Sequence, residues 1–474
     1  METRSNIPPR GATTAVGSAG ATAPVGPANA ATVDPASAAA PIGEAAAVAG
    51  LDVPPAELPA DIAPDTGAPL DRARTIRFGA GFLLFGAVWM VGLQMVAQVL
   101  LPQRLQDIGV ASPEAMLGTA NAATAIVSLV SNLVFGNLSD RTRGRFGRRT
   151  PWVLGGAVLG GLSLGSLGVV GSPALIIVLY CVSMVGLNMM LAPGIAVLAD
   201  RVPMAMRGTM SAFYGAGLAV GGPLGALVGA TFITASLPGF VLGGALMLAG
   251  GLIAVIIWPR ERSAADLPPA AAGFADVLAS FRPPRRAPDF YKAFVGRFFM
   301  LVSIQMVLAY QLYIVQGHLG QSVAQSARTI ATMSVILLVA GLAGSLISGP
   351  ISDRLGRRKL PVVVASVLFG VGVAMPWILP TTAGILLFAA IAGFGQGVYN
   401  SVDQALNVDV LPSEKEAGKD LGILNLSTTA GQTVGPLVTS AIVVATGSYS
   451  YVFAVSILAA LLGAFTITRI KGVD

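Results

Sequence analysis

Charge is scarce in this chain. Asp, Glu, Lys and Arg make up 11% of its 474 residues, against roughly 25% in a soluble domain, and that deficit excludes a water-soluble globular protein. Cysteine and histidine occur once each, as Cys181 and His318. A lone cysteine cannot close an intrachain disulfide, and one Cys with one His cannot make a zinc-type cluster. No phosphate-cradling P-loop is present, and no grouping of serine, histidine and acid suits covalent catalysis. ATP-driven pumping and membrane enzymology therefore have no basis, and neither a cofactor nor a metal is expected. The formal charge of +6 sits in connections between apolar runs, so its expected counterpart is a lipid bilayer and not nucleic acid.

Apolar residues fill the space that charge leaves. They reach 54% of the chain, with 58 glycines, and small residues let membrane helices approach closely. Residues 1–74, rich in Ala, Pro and Gly, bury too little apolar surface to offset ordering and read as a disordered cytoplasmic tail. No apolar stretch follows the charged start, so a signal peptide is not expected. From Phe78 onward twelve apolar runs recur, the first at 78–101 and the last at 449–468. Each is long enough for a bilayer core of roughly 30 Å. Six fall within 75–258 and six within 290–474, with a polar cytoplasmic linker at 259–289. Basic residues crowd the connections after spans 2, 4, 6, 8 and 10, whereas the opposite side offers Arg104 and Arg328. The positive-inside rule then predicts a multi-pass protein of the cytoplasmic membrane with both termini cytoplasmic.

A short basic phrase occurs twice. Ser139-Asp140-Arg141 leads to Gly147-Arg148-Arg149, and Ser352-Asp353-Arg354-Leu355-Gly356-Arg357-Arg358 repeats it, its start 213 residues on (352 − 139). Gly222-Pro223 recurs at the same offset as Gly435-Pro436. Two similar halves in a membrane are the mark of many secondary transporters. The full stretch from Gly136 to Arg149, followed by Pro151-Trp152, resembles the signature of the major facilitator superfamily. Its Arg-rich form is similar to the sucrose-type and glycoside–pentoside–hexuronide cation symporters. The resemblance implies an all-α membrane protein of twelve helices in two pseudo-symmetric six-helix bundles. The pattern departs from melibiose-type carriers, whose spans 2 and 4 carry cation-binding acids. Here those spans offer Asn121, Thr124, Ser128, Asn132 and Asn188, so a sodium site of that kind is not expected. Gly217, Gly221, Gly222, Pro223 and Gly225 match only part of the drug-antiporter motif of span 5, and close packing explains them as well.

Three groups of residues are candidates for function. Asp140, Arg141, Arg145, Arg148, Arg149 and Asp200 in one half, with Asp353, Arg354, Arg357, Arg358 and Asp409 in the other, form expected charge clusters. They would gate the cytoplasmic side by making and breaking ion pairs. Their alternative role is a static positive-inside anchor. In span 10, Gln396, Asn400, Asp403 and Asn407 share a helical face. A carboxylate inside a span costs on the order of 3 kcal/mol, so Asp403 is the candidate for proton coupling, or else part of the cytoplasmic gate. No arginine is expected deep in a span, with Arg297 nearest, at the cytoplasmic start of span 7. The family resemblance puts spans 1, 4, 7 and 10 around a central cavity. Trp89, Gln94, Gln98, Asn121, Asn188, Tyr310, Gln311, Tyr399 and Asn400 are then candidate ligands. Amides beside aromatic faces suit a neutral polyhydroxyl molecule, although interhelical hydrogen bonding would use the same groups. The expected function is proton-coupled uptake of a sugar or glycoside by a monomer working through alternating access. Proton-driven efflux of a small drug-like molecule is the alternative, and a non-transporting membrane sensor is a third.

Overall fold

A backbone inside hydrocarbon must satisfy its own polar groups, which leaves helices as the form these apolar runs can take. The computed structural model describes residues 59–265, 283–355, 357–412 and 417–472, all within the unit Ala36–Asp474. Residues 1–58 of the expected tail and 266–282 of the expected linker lie outside the described residues, as does the side chain of Asp353.

Twelve long helical rods run through the described residues. The first half holds α1 (Arg72–Asp107), α2 (Pro113–Arg141), α3 (Thr150–Ser166), α4 (Pro173–Arg201), α5 (Met204–Thr231) and α6 (Ser236–Ile257). The second holds α7 (Pro288–Leu308), α8 (Val323–Leu355), α9 (Lys359–Ile378), α10 (Thr382–Asp409), α11 (Ala417–Thr446) and α12 (Ser450–Thr468). Proline stands in the first turn of α2, α3, α4 and α7, where its missing N–H costs nothing. Ten of the twelve are long and apolar enough to cross a membrane. The other two are α3, of 17 residues, and α11, which carries Lys419, Asp420, Asn425 and Gln432.

Helix pairing repeats with the sequence. In the first half α1 packs on α5 and α6, α3 on α4 and α6, and α2 on α4. Adding six to each number gives the pairs of the second half: α7 on α11 and α12, α9 on α10 and α12, α8 on α10. Between the halves α2 meets α11 and α5 meets α8, and a two-fold exchange of the halves turns one contact into the other. Close approach depends on small residues. On α5, Gly217, Gly221, Gly225 and Gly229 lie one per turn against the α1 carbonyls of Leu83, Ala87, Val91 and Met95. The structure thus gives the span 5 glycines a packing contact with α1. Large apolar side chains such as Leu162, Ile256 and Leu346 remain exposed, as expected of a surface solvated by lipid.

Two interruptions shape the long helices. A π-turn at Val96–Leu100 lies inside α1, and a second at Ile314–His318 follows the short turn Gln311–Tyr313 after α7. Such turns widen the helix locally and re-aim side chains. Both fall at the end of the molecule away from the arginine-rich loops, called here the far end.

Part of the expected tail is ordered. Strands β1 (Ile62–Ala63) and β2 (Ala68–Pro69) form a small antiparallel hairpin against the basic end of the first half. Ala205 N donates to Ala60 O at 2.9 Å, and Arg201 Nε reaches Asp65 Oδ2 at 3.3 Å. Arg262 adds a bond to the Asp65 carbonyl at 3.1 Å. Burial pushes the Asp65 carboxyl up from its ordinary value, against the pull of Arg201.

Candidate functional site

The basic end of the first half is organised by one buried guanidinium. Arg149 immediately precedes α3 and is 1% exposed. It meets Asp140 Oδ1 on α2 at 2.5 Å, Asp200 Oδ2 on α4 at 2.7 Å and Ser139 Oγ at 2.5 Å. Arg148 holds the other Asp200 oxygen at 2.5 Å. Three helices are therefore tied at one cation. Burial opposes the charge of Arg149, but Asp200 and Asp140 outweigh it and hold its pKa above the ordinary value.

The sequence reading missed Glu261. Its carboxylate accepts from the backbone N of Arg148, Arg149 and Thr150 at 2.9, 3.0 and 2.8 Å, and from Thr150 Oγ1 at 2.7 Å. These are the orphan donors that begin α3, at the positive end of its dipole. Gly147, at φ 86°, makes room, because a Cβ there would collide with the Glu261 side chain. The signal was available as an acid just past span 6, but its partner lies over a hundred residues earlier.

The second half is plainer. Arg358 Nε reaches Asp409 Oδ2 at 3.2 Å, both partly exposed, and Arg357 offers its carbonyl to Ser352 Oγ at 3.2 Å. Of the expected partners of Asp200, Arg148 and Arg149 are in place, whereas Arg145 lies over the Phe146 ring, 4.6 Å from its centre. Arg354 is exposed, and Arg141 ends α2. The ion pairs named here each stay within one half. Replacing Asp140 by Asn removes one charge-assisted bond, of roughly 1.5–3 kcal/mol. It is expected to lower transport about tenfold or more while insertion stays near normal, as read by uptake against surface-labelled protein.

Span 10 carries the largest departure from expectation. The sequence places Arg297 at the cytoplasmic start of span 7 and no arginine deep in a helix. The structure buries it to 5% exposure, nine residues into α7, roughly 14 Å along the axis, against Asp403 at 3%. Arg297 Nη1 meets Asp403 Oδ2 at 3.2 Å, Arg297 Nε donates to Thr428 Oγ1 on α11 at 2.8 Å, and Asn407 Nδ2 donates to the same Asp403 oxygen at 3.0 Å. Three helices, α7, α10 and α11, thus converge on an ion pair inside the bundle. Sequence spacing on α10 located the carboxylate; the cation comes from a helix that no spacing argument links to it. The first half does not repeat the pair. The 213-residue offset sets Leu84 opposite Arg297 (297 − 213), and the Asp200-to-Asp409 spacing of 209 sets Gly194 opposite Asp403 (403 − 209). There Phe85 packs on Gly194 instead.

The far end is joined by neutral groups and one acid. Gln311 Nε2 donates to Gln98 Oε1 at 2.8 Å and Gln316 Nε2 to Gln103 Oε1 at 2.9 Å. Each pair joins repeat-related residues 213 apart in sequence, so the bonds cross the pseudo-two-fold axis. Tyr313 OH donates to Pro102 O at 2.9 Å. Around the start of α2, Tyr310 OH and Ser440 Oγ donate to Glu114 O at 3.0 and 3.2 Å, and Tyr449 OH to Glu114 Oε1 at 3.1 Å. Gly118 lets α11 close in, since its Cβ would stand 2.6 Å from Ser440 Oγ.

The remaining candidate ligands are spread out. Trp89 is buried with its Cβ against Gly250 on α6, and Gln94 lies beside Gly225 on α5. Asn188 accepts from Asn132 at 3.2 Å and donates to Met184 O at 2.8 Å. Tyr399 is buried, Asn121 half-buried and Asn400 exposed. The structure therefore brings Gln98 to Gln311, and spends Tyr310 on the far-end closure. Trp258, at the end of α6, is buried, with its ring 4.9 Å from Phe82 and 5.5 Å from Phe85. Among the described residues no cluster of His, Cys, Asp and Glu could hold a metal ion.

Twelve helices in two matched halves, with a repeated acid–arginine cluster at one end, define a transporter-type membrane fold. The chain matches the family model described as Major Facilitator Superfamily over residues 77–327 and 293–471, and it belongs to that superfamily. It is 33% identical over 193 residues to the MFS transporter asaE of Aspergillus flavus, covering 40% of this chain and 42% of that protein. It is 30% identical over 143 residues to Multidrug resistance protein 3 of Bacillus subtilis, covering 29% and 27%. The matched stretches span less than half the length of these relatives. Among solved structures, the nucleoside transporter NupG superposes with a TM-score of 0.65 at 13% identity, over 83% of this chain and 99% of that one. A bacterial homologue of the human lysosomal transporter Spinster gives 0.59 at 14%, over 85% and 95%. At such identities the likeness is one of fold.

Proposed function

We propose that this chain is a proton-coupled secondary transporter that works by alternating access, with its basic end cytoplasmic. The single observation that carries the reading is the Arg297–Asp403 ion pair, buried where α7, α10 and α11 meet. A buried pair is costly to retain for stability alone, and protonation of Asp403 removes the negative charge that faces Arg297, so proton binding favours a different arrangement of α7, α10 and α11. The six far-end hydrogen bonds supply the second requirement, a closure that opens when the halves rock apart. The substrate we favour is a neutral polyhydroxyl molecule, a sugar or glycoside, because half-buried Gln94 and Asn121 and exposed Asn400 offer amides without excess charge. The Arg-rich signature supports placement near the glycoside-type symporters, and the protein acts as a monomer.

A second reading is proton-driven efflux of a small amphipathic molecule. It is favoured by the local likeness to Multidrug resistance protein 3. Proteoliposomes separate the two. Uptake of labelled sugars and glycosides is measured with and without an inward proton gradient, and one sugar is expected to accumulate only with the gradient. If no sugar moves in verified proteoliposomes while protons exchange for an amphipathic drug, the uptake reading fails and the efflux reading stands.

A further inference from the structure

A cavity of about 390 Å³ opens at the basic end of the first half, walled by α1, α3, α4 and α6. Four arginines line it: Arg77, Arg149, Arg201 and Arg260. Its deeper wall is apolar, with Val153, Val197 and Val255. Ile256, also on the wall, is 71% exposed.

The acids of this region are already engaged. Both Glu261 oxygens are turned to the start of α3. Asp140 and Asp200 hold Arg148 and Arg149, and Asp65 holds Arg201. Two cations of the wall have no carboxylate partner among the described residues. Arg77 lies on the final carbonyls of α6, with bonds to Ile257 O at 2.8 Å and Trp258 O at 3.2 Å. Arg260 lines the cavity, is exposed, and forms no hydrogen bond or ion pair among the described residues. A pocket with two guanidinium groups that meet no described carboxylate, beside an apolar wall edged by the exposed Ile256, suits an anion that carries a hydrocarbon tail. Basic pockets between helix ends are recognised sites for phosphorylated lipid headgroups.

We propose that this cavity binds the phosphate of an anionic phospholipid from the leaflet at the basic end, between Arg77 and Arg260, with acyl carbons against Val197 and Val255. The site is separate from the Arg297–Asp403 pair and does not depend on what is transported. A phosphate there lies beside Arg149, so lipid composition acts on the cluster that ties α2, α3 and α4.

The test uses the full chain in nanodiscs of phosphatidylcholine with or without phosphatidylglycerol. Retained lipid is counted by mass spectrometry after purification, and fluorescent phosphatidylglycerol is titrated by quenching. Arg260→Gln is the variant of choice, since the exposed side chain supports no internal contact. Its affinity for the anionic lipid should fall about fivefold, with thermal stability in phosphatidylcholine unchanged. Arg328→Gln, at the far end, should leave the affinity as it was. Equal loss in both variants, or none in Arg260→Gln, overturns the site. Inorganic phosphate is the third arm. Displacement of the lipid probe by phosphate at comparable concentration would mean a free-anion site and would overturn the lipid assignment.

Discussion

Replacing Asp403 by Asn is expected to abolish gradient-driven uptake. The change removes the carboxylate 3.2 Å from Arg297 Nη1 and so takes one partner from a buried ion pair, a loss of about 3–5 kcal/mol in stability. A damaged fold and a lost coupling group would look alike in uptake alone, so two further measurements separate them. The double variant Arg297→Leu with Asp403→Leu replaces the pair by apolar volume. It should regain stability, because well-packed apolar substitutes for buried ion pairs are neutral or stabilising by about 1–4 kcal/mol. Gradient-driven accumulation should remain absent in it. Exchange of labelled for unlabelled substrate without a gradient should survive in Asp403→Asn if the carboxylate serves coupling and not binding. Wild-type accumulation in a stable Asp403→Asn protein would remove Asp403 from the mechanism.

Locking the far end should stop transport just as completely. Gln98 and Gln311 sit across the two-fold axis with their amides 2.8 Å apart. In a Cys181→Ser background, Gln98→Cys and Gln311→Cys joined by a short bis-methanethiosulfonate, through two reducible disulfides, would hold α1 to the segment after α7. Transport should drop more than tenfold on cross-linking and recover on reduction, with either single cysteine unaffected by the reagent. Transport that continues through a verified cross-link would show that the halves need not separate here. Loss of the amide bond alone, in Gln311→Ala, should be milder, since one neutral hydrogen bond contributes about 1 kcal/mol among six.

Much of this was legible in order along the chain. Apolar runs of bilayer length marked where the helices lie, because a continuous apolar run satisfies its own backbone in hydrocarbon by forming a helix. The recurrence of Ser-Asp-Arg and Gly-Pro at one offset made the two halves visible, and the two sets of helix pairs match it. Asp200 with Arg148 and Arg149, and Asp409 with Arg358, followed from their positions at neighbouring span ends. Gln98 and Gln311 lie 213 residues apart, the repeat offset, yet equivalence in sequence does not say that they touch.

Sequence by itself thus determined the membrane, the helices, the repeat and the basic face, since each rests on local composition or on periodicity. Tertiary structure alone decided the partners. Arg297 meets Asp403 because α7, α10 and α11 converge, and Glu261 reaches α3 because α6 ends beside it. The far-end bonds close because the two-fold axis brings repeat-related amides within reach. The physical reason is the same in each case. A charge or amide in a helix declares its cost locally, but whether a counter-ion, a helix end or its own symmetry mate meets that cost depends on packing between segments far apart in sequence.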